Sequence, residues 1–317
     1  MKQAFTGADI FDGHVLHPGA CLVTENGKVL GIWADAPADA QVVRLPSGTL
    51  APGFLDLQVN GGGGVMVDGQ TTADTLAQLC ALHGRLGATG ILPTLITDTA
   101  DATQRVIHAG IEAARAGVPG FLGLHLEGPH LDPRRKGAHD SALIRPMTAA
   151  DLDLYCDAAR QLPGLMLTLA PASVTADQIA TLAAAGVVVS LGHSDCGVDT
   201  ARRAMAAGAR CATHLFNAMS QIGNREPGLA GAVLASDCAA GLIADGIHVH
   251  TDTMKLALAA RQAGIFLVSD CMGFAGTDLT EMTLGGRRML RHDGRLTLED
   301  GTLAGADLTL PQAVRLL

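Results

Sequence analysis

The chain has 317 residues, with 22 Lys and Arg against 31 Asp and Glu; its net charge of −9 excludes the phosphate-neutralising surface that nucleic-acid binding needs. Apolar residues make up 48% and charged ones 17%, so a sizeable core is expected and disorder is excluded for most of the chain. Aromatics are 3% against 39 glycines, which implies a core of Ala, Leu and Val with many tight turns.

Residues 1–10 show no basic-then-apolar leader, and no apolar run approaches the roughly 20 residues of a membrane span. The seven cysteines are scattered without CxxC pairs and read as buried free thiols in a reducing cytoplasm. A soluble intracellular protein with no membrane partner is expected.

In chain order, residues 8–13, 20–25 and 29–33 read as short strands, with Asn26-Gly27 as a hairpin turn. From Gly53 onward, eight β-branched or Leu-rich runs follow at 54–60, 90–94, 121–127, 165–170, 187–193, 210–214, 241–248 and 265–270. Between them lie Ala- and Leu-rich helical stretches at 72–86, 101–115, 148–160, 175–185, 198–207 and 252–263, with Thr72, Thr148 and Thr175 placed as N-caps. Eight β-then-α units predict an α/β fold, a (β/α)8 TIM-like barrel. The sixth run is the weakest, following Gly208-Ala209 and opening on Arg210. The alternative, a doubly wound open sheet, lacks a GxGxxG opening its first unit; the glycines at 61–64 read as a flexible loop. Strand-like chemistry returns at 282–284, 288–290 and 295–298, with Asp293-Gly294 as a turn. Residues 1–50 and 276–317 are therefore assigned to one small β-sandwich domain built from both chain ends, and 51–275 to the barrel.

Functional side chains of such barrels project from the C-terminal strand ends. There the predicted strands carry Gln58 and Asn60, Glu127, His193, His214, His248 and Asp270. Singly, each has a plain structural reading: a strand-end His, a loop-capping Glu, a turn Asp. Jointly, a carboxylate and two histidines on separate strands form a three-ligand set for a catalytic divalent metal, with Asp270 beside its water as general base. His14, His17, His83, His108 and His292 lie off this rim and read as surface residues, and His250 as structural.

The segments at 51–56 (APGFLD), 123–130 (GLHLEGPH), 136–139 (KGAH), 189–194 (VSLGHS), 212–219 (ATHLFNAM), 225–231 (REPGLAG), 244–248 (ADGIH) and 268–270 (VSD) resemble the N-acetylglucosamine-6-phosphate deacetylase family of the amidohydrolase superfamily. The likeness runs in order over nearly the whole chain. It implies Glu127, His193 and His214 as metal ligands, Asp270 as catalytic acid and base, and His139 as the group that polarises the acetyl carbonyl. It implies Gln58, Asn217, the Ala218 N–H, His248 and Arg225 as substrate-binding groups for a phosphorylated N-acetyl amino sugar. Arg225 reaches the neighbouring subunit's site in this family, which implies a homodimer.

Many members of the superfamily carry HxH where this chain has Gln58-Val59-Asn60, so one divalent ion per chain is expected, Zn²⁺ ahead of Fe²⁺ or another. Family members run on for several tens of residues past Leu317, so the small β domain is expected to lack its final section. The rival activities are deacetylation of N-acetylgalactosamine 6-phosphate, hydrolysis of a cyclic amide, and sugar-phosphate binding without turnover.

Overall fold

Eight parallel strands follow one another around a single sheet in sequence order: β1 (Phe54–Val59), β2 (Ala88–Ile96), β3 (Leu124–Glu127), β4 (Leu165–Leu169), β5 (Val188–Leu191), β6 (Cys211–Ala212), β7 (Ala239–Leu242) and β8 (Ile265–Leu267). The computed structural model describes residues 1–317. Each strand is followed by a helix: α1 (Ala73–Arg85), α2 (Ala100–Arg115), α3 (Ala149–Ala159), α4 (Ala176–Ala184), α5 (Val198–Ala206), α6 (Gly228–Leu234), α7 (Thr251–Ala260) and α8 (Leu310–Leu316). This is the (β/α)8 arrangement that the sequence predicts. The helices start where local chemistry dictates. Thr72, Thr148 and Thr175 each close a capping box with the residue three positions on, which supplies an acceptor to an otherwise orphaned N–H. Such a cap is worth about 1 kcal/mol.

The sheet closes on itself just beyond β8. Val59 and Cys271 form a parallel bridge, Asp270 N donates to Gln58 O (3.0 Å), and Asn60 N donates to Cys271 O (2.9 Å). The buried carboxylate of Asp56 accepts Ser269 N at 3.1 Å across the same seam. Strand β6 is two residues long, the weakest of the eight, as its sequence implies.

Two expectations need correction. Residues 61–64 are not a flexible loop: Gly61–Gly62 pairs antiparallel with Val65–Met66 through a turn at Gly63 and Gly64, both at positive φ. A Cβ on Gly61 would lie 2.3 Å from Val65 O, so only glycine fits this close approach. His83 is not a surface residue. It lies on the inner stripe of α1 with Leu76, Leu79 and Cys80, 4% exposed, and its Nε2 donates to Gly61 O (2.9 Å).

By its contacts the chain divides into two units, Met1–Gly53 and Phe54–Leu317. In the first, Cys21–Glu25 and Lys28–Trp33 form the expected hairpin, with Asn26 and Gly27 both at positive φ. Lys2–Thr6 lies between Cys21–Glu25 and Gln41–Arg44 in the same sheet. In the second, Glu281–Leu284, Arg287–His292, Arg295–Leu298 and Leu303–Ala306 make an antiparallel meander, turning at Asp293-Gly294. Antiparallel pairing thus stands at both ends of the chain. All seven cysteines are free thiols, and no helix is long and apolar enough to cross a membrane.

Candidate active site

The strands stop short of the side chains that the sequence places at their ends. His193 lies two residues beyond β5, His214 two beyond β6 and Asp270 three beyond β8, and each sits in the left-handed region at φ 45°, 28° and 50°. Glu127 ends β3 and is followed by Gly128 at φ 90°. Such residues interrupt the regular strand, leaving only isolated bridges beyond Asp270 and His193, and each non-glycine example costs on the order of 1–3 kcal/mol. The reversals turn side chains from four strand ends into one cavity of about 410 Å³, which Asn60, Asn217, Ala218, His139 and His248 also line.

Three groups meet at its floor. His214 Nε2 and His193 Nε2 lie 3.0 and 3.2 Å from Glu127 Oε1, and 3.1 Å from each other. His193 Nδ1 donates to Arg135 O (2.8 Å), so its Nε2 faces the carboxylate with a lone pair. The Nδ1 of His214 is buried with no partner at all. Two imidazole nitrogens and a carboxylate oxygen converging this closely, all buried, fit a shared cation. A protein-only hydrogen-bond scheme leaves lone pairs facing one another. Burial opposes ionisation of Glu127, but the adjacent His193 and His214 outweigh it and hold its carboxyl well below the usual range.

His139 stands beside this set, its ring 4.3 Å from that of His193, and its ligand atom also lies within 4.8 Å of those of Glu127 and His193. Its Nδ1 accepts Thr97 N–H (3.3 Å) and lies 2.7 Å from Thr97 Oγ1. That leaves the proton on Nε2, so His139 presents a donor rather than a lone pair. Burial, reinforced by the charge of His193, pushes its pKa down to about 3. Burial and the charge of Glu127 push Asp270 up to about 6. His248 is held by Asp245, which accepts from its Nδ1 (2.6 Å) and its backbone N–H (2.8 Å). Ala218 lines the cavity at φ 47°, and its N–H bonds to nothing within the chain.

Two expected substrate groups stand elsewhere. Gln58 is buried beneath the cavity, its amide donating to Glu127 (3.2 and 3.3 Å) and Asp270 (3.0 Å). Arg225 is exposed and lines no part of this chain's cavity. Its neighbour Glu226 does not pair with it, because that carboxylate accepts Val198 N and Gly228 N at 2.8 and 3.0 Å. His250 is exposed and caps α7, a structural role as expected.

The profile of the amidohydrolase family matches residues 49–289, three-quarters of the chain. The chain belongs to the amidohydrolase family. Among its relatives, the N-acetylgalactosamine-6-phosphate deacetylase of Shewanella sp. (strain ANA-3) is 42% identical over 98% of this chain and 79% of its own length. The N-acetylglucosamine-6-phosphate deacetylase of Haemophilus influenzae is 32% identical over 99% of this chain and 84% of its own. A crystal structure of the N-acetylglucosamine-6-phosphate deacetylase from Pasteurella multocida superimposes with a TM-score of 0.96 at 34% identity, covering all of this chain and 84% of that one.

This amidohydrolase carries further site groups that strand-end reasoning passes over. Arg134 and Arg135 line the cavity and pair with Asp132 and Asp195, and the Arg135 carbonyl orients His193. His125, wholly buried two residues before Glu127, joins a chain of hydroxyls across the barrel: Thr94 (3.2 Å), Thr168 (2.7 Å), then Thr213 and Ser190. Thr168 is the register partner of Glu127 and Thr213 precedes His214, so this layer braces two of the converging groups from below. The only sequence signal was period-two alternation: polar residues at 125 and 127 fall on the same face of β3.

Proposed function

We propose that this amidohydrolase hydrolyses the acetamide of N-acetylglucosamine 6-phosphate to glucosamine 6-phosphate and acetate, a step of amino-sugar breakdown and recycling. The observation that carries this reading is the convergence of Glu127, His193 and His214 beside His139 and Asp270 in one cavity. Glu127, His193 and His214 would hold one divalent ion per chain, assigned as Zn²⁺. Such an ion, when bound, polarises a carbonyl and brings the pKa of water from near 15.7 towards about 7.

The chain's own residues supply the rest. Asp270 takes the proton of the attacking water and returns it to the departing nitrogen. His139 donates from Nε2 to the carbonyl oxygen as it gains charge. Gln58 orients Asp270 and Glu127 beneath the substrate. Asn217, the Ala218 N–H and His248 receive the 6-phosphate, and Arg225 reaches it from the neighbouring subunit of a homodimer. A protein of net charge −9 draws no anion by its overall field, so local donors must do so. Free thiols support a reducing cytoplasm as its compartment.

A second reading, N-acetylgalactosamine 6-phosphate as substrate, is favoured by the 42% identical relative of that name. One assay decides: acetate release from both hexosamine 6-phosphates, before and after chelation and after zinc or iron is restored. No release from either sugar phosphate with metal restored would refute both readings.

A further inference from the structure

The cavity is lined by residues of two unlike kinds. Asn217, His248, Arg134 and Arg135, with the free N–H of Ala218, supply polar and cationic groups. Ile96, Ala138, Met272 and Leu284 form an apolar stretch of the lining and pack in one cluster. Each of these four is joined to a residue of the chemistry. Ile96 is the register partner of Glu127 and precedes Thr97, which holds His139. Ala138 precedes His139, and Met272 follows Asp270 by two residues. Leu284 comes from outside the barrel proper, in the hairpin Glu281–Leu284 and Arg287–His292. That hairpin is tied to the His139 loop where Arg287 Nη2 donates to Ala138 O (2.5 Å).

The wall is rigid. Met272 is 2% and Leu284 6% exposed. Gly305, at φ +65°, leaves space that Met272 fills so closely that a Cβ there would lie 2.5 Å from its Cγ and Sδ.

We propose that Ile96, Ala138, Met272 and Leu284 form the acyl-binding wall, and that Leu284 sets the longest acyl chain the site accepts. The inference rests on the deacetylase reading above and adds the determinant of its acyl specificity. The reacting carbonyl must lie within reach of both His139 and Asp270. Of its two substituents, the amino sugar and its phosphate are polar and suit the polar part of the lining. The methyl group is the one apolar part, and the wall beside the reacting groups is apolar. Each methylene that such a wall must reject or accept changes specificity by roughly 10–200-fold.

The test is kcat/KM of the full chain with metal restored, on the N-formyl, N-acetyl, N-propionyl and N-butyryl derivatives of the hexosamine 6-phosphate. The wild-type chain is expected to fall about 100-fold or more from acetyl to butyryl. Leu284→Ala should narrow that gap at least about tenfold by raising the butyryl rate, and Leu284→Phe should shift preference towards formyl. Ile96→Ala, in β2, tests the same wall if the hairpin variants fold poorly. Unchanged chain-length ratios in every variant that keeps its far-ultraviolet circular dichroism would overturn the wall. So would a wild-type chain that takes butyryl as readily as acetyl. A wild-type chain that hydrolyses none of the four overturns the deacetylase reading itself, and the wall with it.

Discussion

Asn60 Nδ2 donates to Asp270 Oδ1 at 2.7 Å across the seam where the barrel closes, joining residues 210 positions apart. Gln58 Nε2 donates to the same oxygen at 3.0 Å. Both amides thus fall on Oδ1, and Oδ2 receives neither. Neutral amides at the end of β1 therefore aim a carboxylate at the end of β8 while adding no charge to a buried site.

Replacing Asp270 with Asn keeps the shape and removes the carboxylate proposed as the base. Turnover should fall by roughly 10²–10⁴, the range for a positioned acid–base group, with bound metal unchanged. Steady-state kinetics beside metal analysis check this, and near-normal turnover with metal bound would refute the role.

Chelation should lower both activity and the melting temperature, because an ion bound only by the folded chain stabilises it by mass action, about 4 kcal/mol at a thousand-fold excess over Kd. Zinc should restore both, and Glu127→Gln should abolish the metal-dependent melting shift. Metal analysis should give about one ion per chain, since the amides of Gln58 and Asn60 serve as donors to carboxylates. Two stoichiometric ions would contradict this reading.

Asp56 should make stability fall as pH rises. Burial pushes its pKa up to about 6, against partial offset by hydrogen bonds from Ser269 and Gln58. An unfolded Asp titrates near about 3.9, so the folded chain resists ionisation and loses stability between about pH 4 and pH 6. Asp56→Asn retains an acceptor for Ser269 N–H. Urea unfolding should show the variant gaining on the wild type by on the order of 2 kcal/mol from pH 4 to pH 7. A difference independent of pH would mean that Asp56 titrates normally.

Arg225→Ala should raise KM for the phosphorylated sugar at least about tenfold while leaving unphosphorylated N-acetylglucosamine unaffected, the cost expected for a lost charge-assisted contact. Equal effects on both substrates would remove Arg225 from phosphate binding. Sedimentation of the wild-type chain tests the homodimer that this role requires.

Local chemistry made much of the molecule legible in advance. The eight strands in order, six of the helices between them, the Thr72, Thr148 and Thr175 caps and the Asn26-Gly27 and Asp293-Gly294 turns depend on a few adjacent residues and were legible in the sequence, whereas the helix Gly228–Leu234 and the exact strand ends were not. Glu127, His193, His214 and Asp270 were legible as a set because the barrel rule collects strand ends. His83 was misread because nothing near it in sequence shows that Gly61 O waits as its acceptor.

The sequence by itself determined the order of elements and the candidate residues, since periodicity and capping are local properties of the chain. Tertiary structure alone decided that His193, His214 and Asp270 leave their strands in left-handed turns, and that Gln58 and Asn60 orient a carboxylate. It also brought Met272 and Leu284 into one apolar cluster that lines the cavity. Those facts depend on closing the sheet between β1 and the segment after β8, which brings together side chains that no local pattern connects.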